Sequence, residues 1–236
     1  MSYLFLTILA ILPSIVWLLF YLRKDAHPES NPMILKVFVW GVLAAVPAVL
    51  LQLGFFGTTA AFTFAPFFLS LVNGFIGVSL VEELLKYSVV RGKVLPSLEL
   101  DEPLDVMLYM IIAALGFAAL ENVLKFLSPD ILNLGFQETI IVAVFIFISS
   151  TFLHALASGI FGFFMALSFF ETNKRFILFA TGLFLATLLH GLYNFYIMMP
   201  EGYLRFLVPT IIIVGLALFV SFGFRKLKKM QSICKI

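Results

Sequence analysis

The hydrophobic positions of this chain fall into seven long apolar stretches, which short polar connections separate. The stretches run over residues 2–22, 34–54, 66–90, 104–127, 139–170, 175–198 and 203–222. A helix needs about 20 apolar residues to cross the hydrocarbon core of a bilayer, and each stretch is long enough to do so. The pattern predicts an all-α, polytopic transmembrane helix bundle of about seven spans, with residues 1–236 forming one integral-membrane domain.

Two of the stretches carry further expectations. The fifth, residues 139–170, is longer than one crossing requires, so we expect it to tilt, to bend near Gly159 or to project from the bilayer. The first lacks a basic leading segment and is too long for a cleavable signal peptide, so we expect it to remain as a span.

Composition supports a membrane protein and excludes several other classes. Apolar residues make up 62% of the chain and charged residues 12%, whereas soluble domains are about 45–50% apolar and about 25% charged. This excludes a disordered chain, a coiled coil and a free nucleic-acid-binding protein. The single cysteine, Cys234, excludes a disulfide within the chain and a cysteine-based metal site.

The placement of positive charge predicts how the spans are oriented. Cytoplasmic loops of membrane proteins carry the excess of Lys and Arg. Of the 15 such residues here, all but Lys125 and Arg205 follow or border the odd-numbered spans. The alternation predicts an outer amino terminus, a cytoplasmic carboxyl terminus and a multi-pass location in the membrane. The basic tail is interpreted as an anchor against anionic lipid.

The third span contains ionisable residues that a bilayer tolerates poorly. A charge at the bilayer centre costs about 2.5–3.5 kcal/mol on insertion scales, so such groups need a reason to be there. Glu82 and Glu83 are adjacent and point about 100° apart on a helix, whereas Lys86 lies within reach of either. We expect one carboxylate to pair with Lys86 and the other to face a polar cavity. The alternative is an ion cluster at the membrane interface.

Three further spans each contribute a polar group. Glu121 follows a run of small residues that permits close helix packing, so we expect it to be buried against protein rather than to snorkel outwards. His154 lies midway along the fifth span and, taken alone, is most simply a structural hydrogen-bonding residue. His190 and Asn194 are four residues apart and share one face of the sixth span, as a polar zipper or as part of a site.

Together these groups are compatible with three chemistries. A carboxylate and a histidine can activate water for attack on a carbonyl, while a second histidine and an amide stabilise the oxyanion. Two Glu and two His could instead bind one zinc ion, although the sequence lacks an HExxH motif. The third possibility is a pathway for protons or cations.

The motifs that hold these residues resemble the PrsW family of multi-spanning bacterial intramembrane proteases. The resemblance extends from the first span to the basic tail. It rests on five segments in order: YLRKDAHPES, VEELLK, GFAALEN, FLHAL and LHGLYN. This family is distantly related to the CAAX prenyl proteases and the bacteriocin-processing proteins, whose motifs are EExxxR, FxxxH and HxxxN.

The resemblance implies roles for individual positions. Glu82 and Glu83 match the paired glutamates, and Lys86 matches the basic residue after them, one position earlier than the Arg of the CAAX group. Phe117 and Glu121 match FxxxH, with Glu in place of His. His190 and Asn194 match HxxxN. Because of the Glu-for-His exchange, His154 becomes the candidate for the imidazole role.

The resulting expectation is an intramembrane endopeptidase that cleaves membrane-associated proteins. The resemblance implies the first cut of a transmembrane anti-sigma factor, on the extracytoplasmic side. In this interpretation Glu82 and His154 activate water, and His190 with Asn194 stabilises the oxyanion. Glu83 pairs with Lys86, and Glu121 is a second carboxylate or a zinc ligand. Phe117 is a supporting residue.

Two questions stay open at this level. The first is whether a metal takes part. Asn194 favours a metal-free mechanism, because an amide is a natural oxyanion donor and a poor zinc ligand. The family's grouping with metallopeptidases favours Zn²⁺ instead, and the candidate ligands are then Glu82, Glu121, His154 and His190. A polytopic transporter or proton channel could use the same buried acids, although the sequence shows no paired repeats. Glu82 is central in its span only if that helix reaches about Arg91. The expected partners are a membrane-protein substrate and the bilayer, without nucleic acid.

Overall fold

The computed structural model describes residues 1–25, 27–63, 65–198 and 201–230. Cys234 and Lys235, which entered the sequence argument, lie outside these residues. The described chain is helical without a strand, and it contains seven helices long and apolar enough to span a membrane. They are α1 (Tyr3–Leu22), α2 (Asn31–Thr59), α3 (Pro66–Lys93), α4 (Pro103–Phe126), α5 (Phe136–Phe170), α6 (Arg175–Ile197) and α7 (Leu204–Leu227). The all-α, seven-span prediction is confirmed, and the protein is a multi-pass membrane protein.

Helix α4 forms the centre of the bundle. In its most apolar stretch 94% of the residues are buried, whereas the corresponding share in the other six helices is 22–50%. Small residues let its neighbour α2 approach closely: a Cβ added at Gly116 would collide with the Phe38 carbonyl, and one added at Gly41 with the Ala113 carbonyl. Side chains carried by α4 therefore lie inside the protein, away from lipid.

The outer helices expose apolar side chains over much of their length. Leu50 on α2, Ile141 on α5 and Leu218 on α7 are each more than 60% exposed. In a soluble protein such extensive apolar exposure would mark binding surfaces or promote aggregation. Around a bundle of this composition it is the surface that contacts lipid.

Helix α3 is not a regular α-helix throughout. Its middle segment, Asn73–Leu80, has π-helical hydrogen bonding, and the Ser79 hydroxyl donates to the Gly74 carbonyl over 2.9 Å. Regular α-helix resumes at Val81, immediately before the two glutamates. Because α3 continues to Lys93, beyond Arg91, Glu82 lies near the middle of its span: sixteen residues precede it in the helix and eleven follow.

Helix α5 breaks at Ser149, not near Gly159. It consists of Phe136–Ile148 and Ser150–Phe170, and Ser149 between them has φ −122° and ψ −78°. The Ser149 hydroxyl donates to the Phe145 carbonyl over 2.6 Å, a bond that commonly bends helices. Gly159 has a packing role instead, because a Cβ there would lie 3.2–3.3 Å from Val220 and Ile111 side-chain atoms.

Candidate active site

Six ionisable residues from four helices meet in one buried group, which we call the inner cluster. Its members are Glu82, Glu83 and Lys86 on α3, Glu121 on α4, His154 on α5 and His190 on α6. All are buried except Glu121, whose side chain is 27% exposed. Glu82, Glu121, His154 and His190 therefore meet as expected from the sequence, whereas Asn194 is not part of the group.

Glu83 and Lys86 form the fixed part of the inner cluster. Lys86 Nζ lies 2.8 Å from Glu83 Oε1, and neither side chain is exposed. Glu83 also accepts hydrogen bonds from the Ser158 hydroxyl over 2.7 Å and from His190 Nδ1 over 3.2 Å. Since three donors use its oxygens, Glu83 holds α3, α5 and α6 together and has little capacity left for a substrate.

Glu82 has a different environment from its neighbour. Lys86 Nζ reaches its Oε2 only at 3.4 Å, and Gln52 Nε2 on α2 donates to its Oε1 over 3.1 Å. The same Oε2 lies 3.7 Å from His154 Nδ1 and 3.8 Å from His190 Nε2. Glu82 is thus the carboxylate that faces both imidazoles.

Each imidazole of the inner cluster is held from behind by a carboxylate. His190 donates through Nδ1 to Glu83, which leaves Nε2 directed towards Glu82. Lys86 donates to His154 Nδ1 over 2.9 Å, while His154 Nε2 lies 2.7 Å from Glu121 Oε2. The ring N–H points off that oxygen, so the contact is electrostatic rather than a well-directed hydrogen bond. Carboxylates behind histidines are the usual supports of metal-binding or catalytic imidazoles.

Three residues of the inner cluster have the geometry of a metal site. One ligand atom from each of Glu82, His154 and His190 lies within 4.8 Å of the other two, and all three residues are buried. Two His and one carboxylate are a known zinc ligand set that leaves a fourth position for water. The cluster's three carboxylates face only the ammonium groups of Lys86 and Lys125, so neutral imidazoles leave one net negative charge for a cation. These residues fit zinc on condition that the ion displaces the Lys86 ammonium, which donates to His154 Nδ1 over 2.9 Å.

Glu121 and Phe117 border the site from α4. Glu121 Oε1 pairs with Lys125 Nζ over 2.7 Å, and the same ammonium donates to the Ser150 hydroxyl. The Phe117 ring lies 4.8 Å from Lys86 Nζ and 6.0 Å from the His154 ring, centre to centre. Glu121 is absent from the group of mutually close ligand atoms around Glu82.

Two asparagines border the residues of the inner cluster in sequence, Asn122 after Glu121 and Asn194 after His190, and they lie in different places. Asn122 donates to Thr151 Oγ1 and to the Ala10 carbonyl, so it links α4 to α5 and α1. Asn194 is partly exposed one turn after His190, and its side chain makes no hydrogen bond with the described residues. It is beside the inner cluster without a bonded contact to it.

Sequence reasoning missed two partners of the glutamates. Gln52 is the only amide in the predicted second span, a signal that was visible in the sequence. Ser158 gave no signal, because a small hydroxyl residue in a membrane helix is most often a packing residue.

A second acidic group lies at the ends of α1, α2 and α4, and we call it the loop cluster: Asp25, Glu29, Asp105 and Tyr109. Ligand atoms of its three acids also lie within 4.8 Å of one another. Asp105 accepts hydrogen bonds from the backbone N–H groups of Asp101 and Glu102, and Tyr109 donates to Glu29 over 2.5 Å. These bonds tie the polar loop to the start of α4.

Comparison with known proteins shows what the whole chain is similar to. The PrsW family of intramembrane metalloproteases matches residues 29–222. A protease PrsW of Geobacillus kaustophilus is 31% identical over 187 residues, 77% of this chain and 74% of the relative. A protease PrsW of Bacillus subtilis is 28% identical over 215 residues, 91% of this chain and 89% of the relative. No solved structure matches the chain.

Proposed function

This chain belongs to the PrsW family of intramembrane proteases, and from that premise we propose that its inner cluster hydrolyses peptide bonds of membrane proteins. The protein is a membrane-embedded protease of the bacterial cell membrane. The observation that carries the assignment of the site is the position of Glu82, whose Oε2 lies within 3.8 Å of ring nitrogens from two different helices.

In this proposal Glu82 and His154 handle the attacking water. A general base must reach the proton that it removes directly or through one water. Glu82 is the carboxylate that faces both imidazoles, so it is the group best placed to hold the water or to receive its proton. Glu121 keeps the His154 ring in position.

His190 and Asn194 are proposed to bind the scissile carbonyl. Glu83 accepts from His190 Nδ1 and so fixes the ring with Nε2 facing the site; Nε2 donates to the carbonyl in the protonated ring, in which both nitrogens carry a hydrogen. Asn194 lies one turn further on the same face of α6, and its amide is free to donate. Donors aimed at a developing oxyanion typically contribute about 10²–10³-fold to the rate.

We include zinc as the metal-bound form of the proposal: Glu82, His154 and His190 would hold the ion in place of their roles as base and carbonyl donor, and Asn194 would remain to bind the carbonyl. When bound, zinc supplies an activated water and a Lewis acid at neutral pH. The support is the buried set of three mutually close ligand atoms, the carboxylate behind each imidazole and the family's description as metalloproteases.

The proposed substrate is a single-span or membrane-proximal protein. A single-span anti-sigma factor is the substrate class that the family resemblance implies. The position of Glu82 near the middle of a membrane-spanning helix supports a substrate that reaches the inner cluster within the bilayer.

The test is cleavage of a single-span reporter, tagged at both ends, by the protein reconstituted in liposomes. We expect Glu82→Gln to lower the cleavage rate by about 10²–10⁴-fold, because general acid–base catalysis is worth that much. Glu171→Gln is the matched control: Glu171 is exposed at the end of α5 and pairs only with Lys174, so its loss should leave the rate unchanged.

Two outcomes would overturn the proposal. Wild-type turnover by the Glu82→Gln variant would remove Glu82 from the mechanism. Proton or cation flux through the same liposomes without cleavage would indicate a transporter instead. Protease protection of the loops in both variants checks that insertion is unchanged.

A further inference from the structure

A groove of ≈ 490 Å³ lies on the outside of the bundle between α1, α5 and α7, away from the inner cluster. Its wall is aromatic at one end: Trp17 stacks on Phe152 with ring centres 3.9 Å apart, and Phe224 lies further along. Its other end is basic. The cations that line it there are Lys24, Arg225 and Lys228.

The length of the groove corresponds to one leaflet of a bilayer. Along α7 its lining runs from Ala217 to Lys228, a rise of about 16 Å at 1.5 Å per residue. Half of a hydrocarbon core is about 15 Å. Since α1 and α7 both end at the basic mouth, the groove spans the distance from the membrane surface to the bilayer midplane.

Among the described residues, no carboxylate pairs with the cations at the mouth. Lys86, Lys125 and Lys174 each pair with a carboxylate. By contrast, none of the three cations at the mouth pairs with a carboxylate of residues 1–25, 27–63, 65–198 or 201–230, and none of the lining residues is acidic. The Arg225 side chain donates to the Ser221 carbonyl, and the Lys24 ammonium lies over the Phe20 ring.

We propose that this groove is a binding site for one anionic phospholipid, a property beyond the proteolytic function. The phosphate lies against the three cations, and an acyl chain lies along the aromatic wall. Basic pockets between transmembrane helices are recognised sites for such head groups. A zwitterionic lipid binds more weakly, because its own ammonium group meets three positive side chains.

The experiment is native mass spectrometry of the purified full-length protein, titrated with phosphatidylglycerol or phosphatidylethanolamine in neutral detergent. We expect the wild type to bind one phosphatidylglycerol at least about tenfold more tightly than phosphatidylethanolamine. The Arg225→Gln/Lys228→Gln variant should lose this preference. Lys226→Gln/Lys229→Gln is the matched control, since it removes the same charge from the same tail at two positions that do not line the groove.

A second variant tests the apolar part of the site. Ala217→Phe fills the groove without changing any charge, and it should weaken phosphatidylglycerol binding at least about tenfold by excluding the acyl chain. Equal losses in both tail variants would show diffuse attraction to the tail and overturn the proposal. Binding of phosphatidylethanolamine as tight as that of phosphatidylglycerol would also overturn it, as would unchanged binding by the Ala217→Phe variant.

Discussion

The inner cluster and the loop cluster bring three potential ligand residues equally close together, yet their chemistry differs. Both contain ligand atoms within 4.8 Å of one another. In the inner cluster two imidazoles face the Glu82 carboxylate, and carboxylates hold both rings from behind. In the loop cluster all ligands are oxygens, and the backbone N–H groups just before α4 and the Tyr109 hydroxyl already donate to some of them.

The difference shows that close carboxylates alone are a weak sign of function. A stronger sign is a ligand atom whose lone pair is not already used by a hydrogen bond. Asp105 caps the start of α4, which is a structural task. Burial raises the pKa of Glu29 above its ordinary value of 4.5, although the hydrogen bonds from Tyr109 and Asp105 oppose the effect. A proton can therefore satisfy the loop cluster, whereas the inner cluster retains the His190 Nε2 lone pair, directed at the Glu82 carboxylate, beside a His154 Nδ1 that accepts from Lys86.

The largest expected effect is on metal content. We expect the purified protein to contain about one zinc per chain by elemental analysis, and His190→Asn to lose nearly all of it because one of three ligands is gone. Asp25→Asn in the loop cluster is the matched control and should keep the metal. Loss of zinc from the Asp25→Asn variant alone would place the metal in the loop cluster and contradict its assignment to the inner cluster. Thermal unfolding in detergent checks that both variants fold.

The next effect concerns the ion pair inside the inner cluster. Lys86→Met leaves Glu83 buried without its ammonium partner, which should lower the unfolding free energy by about 3–5 kcal/mol. Reversible unfolding in mixed detergent micelles measures this. Adding Glu83→Gln removes the orphaned charge, and the double variant should recover part of the loss. If the double variant is no more stable than Lys86→Met, Glu83 does not depend on Lys86 for its neutralisation.

The matched control for that pair is Lys174→Met. The Lys174–Glu171 pair is exposed, with N–O 3.6 Å, and exposed pairs contribute little. Its removal should leave the unfolding free energy nearly unchanged.

Much of this arrangement could be predicted from the sequence. The seven spans follow from hydropathy alone, because only helices satisfy their own backbone groups in lipid. The meeting of Glu82, Glu121, His154 and His190 follows from the cost of leaving such groups in contact with hydrocarbon. Sidedness rests on Lys and Arg counts and stays a prediction.

The remaining features depend on contacts that spacing does not show. The π-helical segment before Val81 changes which way Glu82 and Glu83 face, whereas spacing arguments assume a regular helix. The break of α5 depends on a hydroxyl–carbonyl bond at Ser149, while Gly159 is needed for close packing. Glu83 rather than Glu82 is the fixed carboxylate because Ser158 and His190 donate to it, and both residues lie far from it in sequence.

A smaller effect is expected at Glu121, which we regard as a positioning residue for His154. Glu121→Gln removes the charge behind the ring and should weaken zinc affinity about 10–100-fold, the usual cost of losing such a support. Competition with a fluorescent chelator measures the affinity. Since Glu121 also pairs with Lys125, the control is Lys125→Gln, which should change affinity less. Equal effects would assign the loss to the Glu121–Lys125 pair rather than to the support of His154.

The smallest effect is the pH dependence of stability at the loop cluster. The pKa of Glu29 is raised in the folded protein. The stabilisation of the fold by protonated Glu29 is therefore fully present below the ordinary pKa of 4.5 and is lost as the pH rises through the raised pKa. Glu29→Gln cannot titrate and still offers hydrogen bonds to Tyr109 and Asp105. Between about pH 5 and pH 8, its unfolding temperature should therefore fall less than that of the wild type. Glu171→Gln is the control, and equal slopes in all three proteins would show that the loop cluster does not hold a proton.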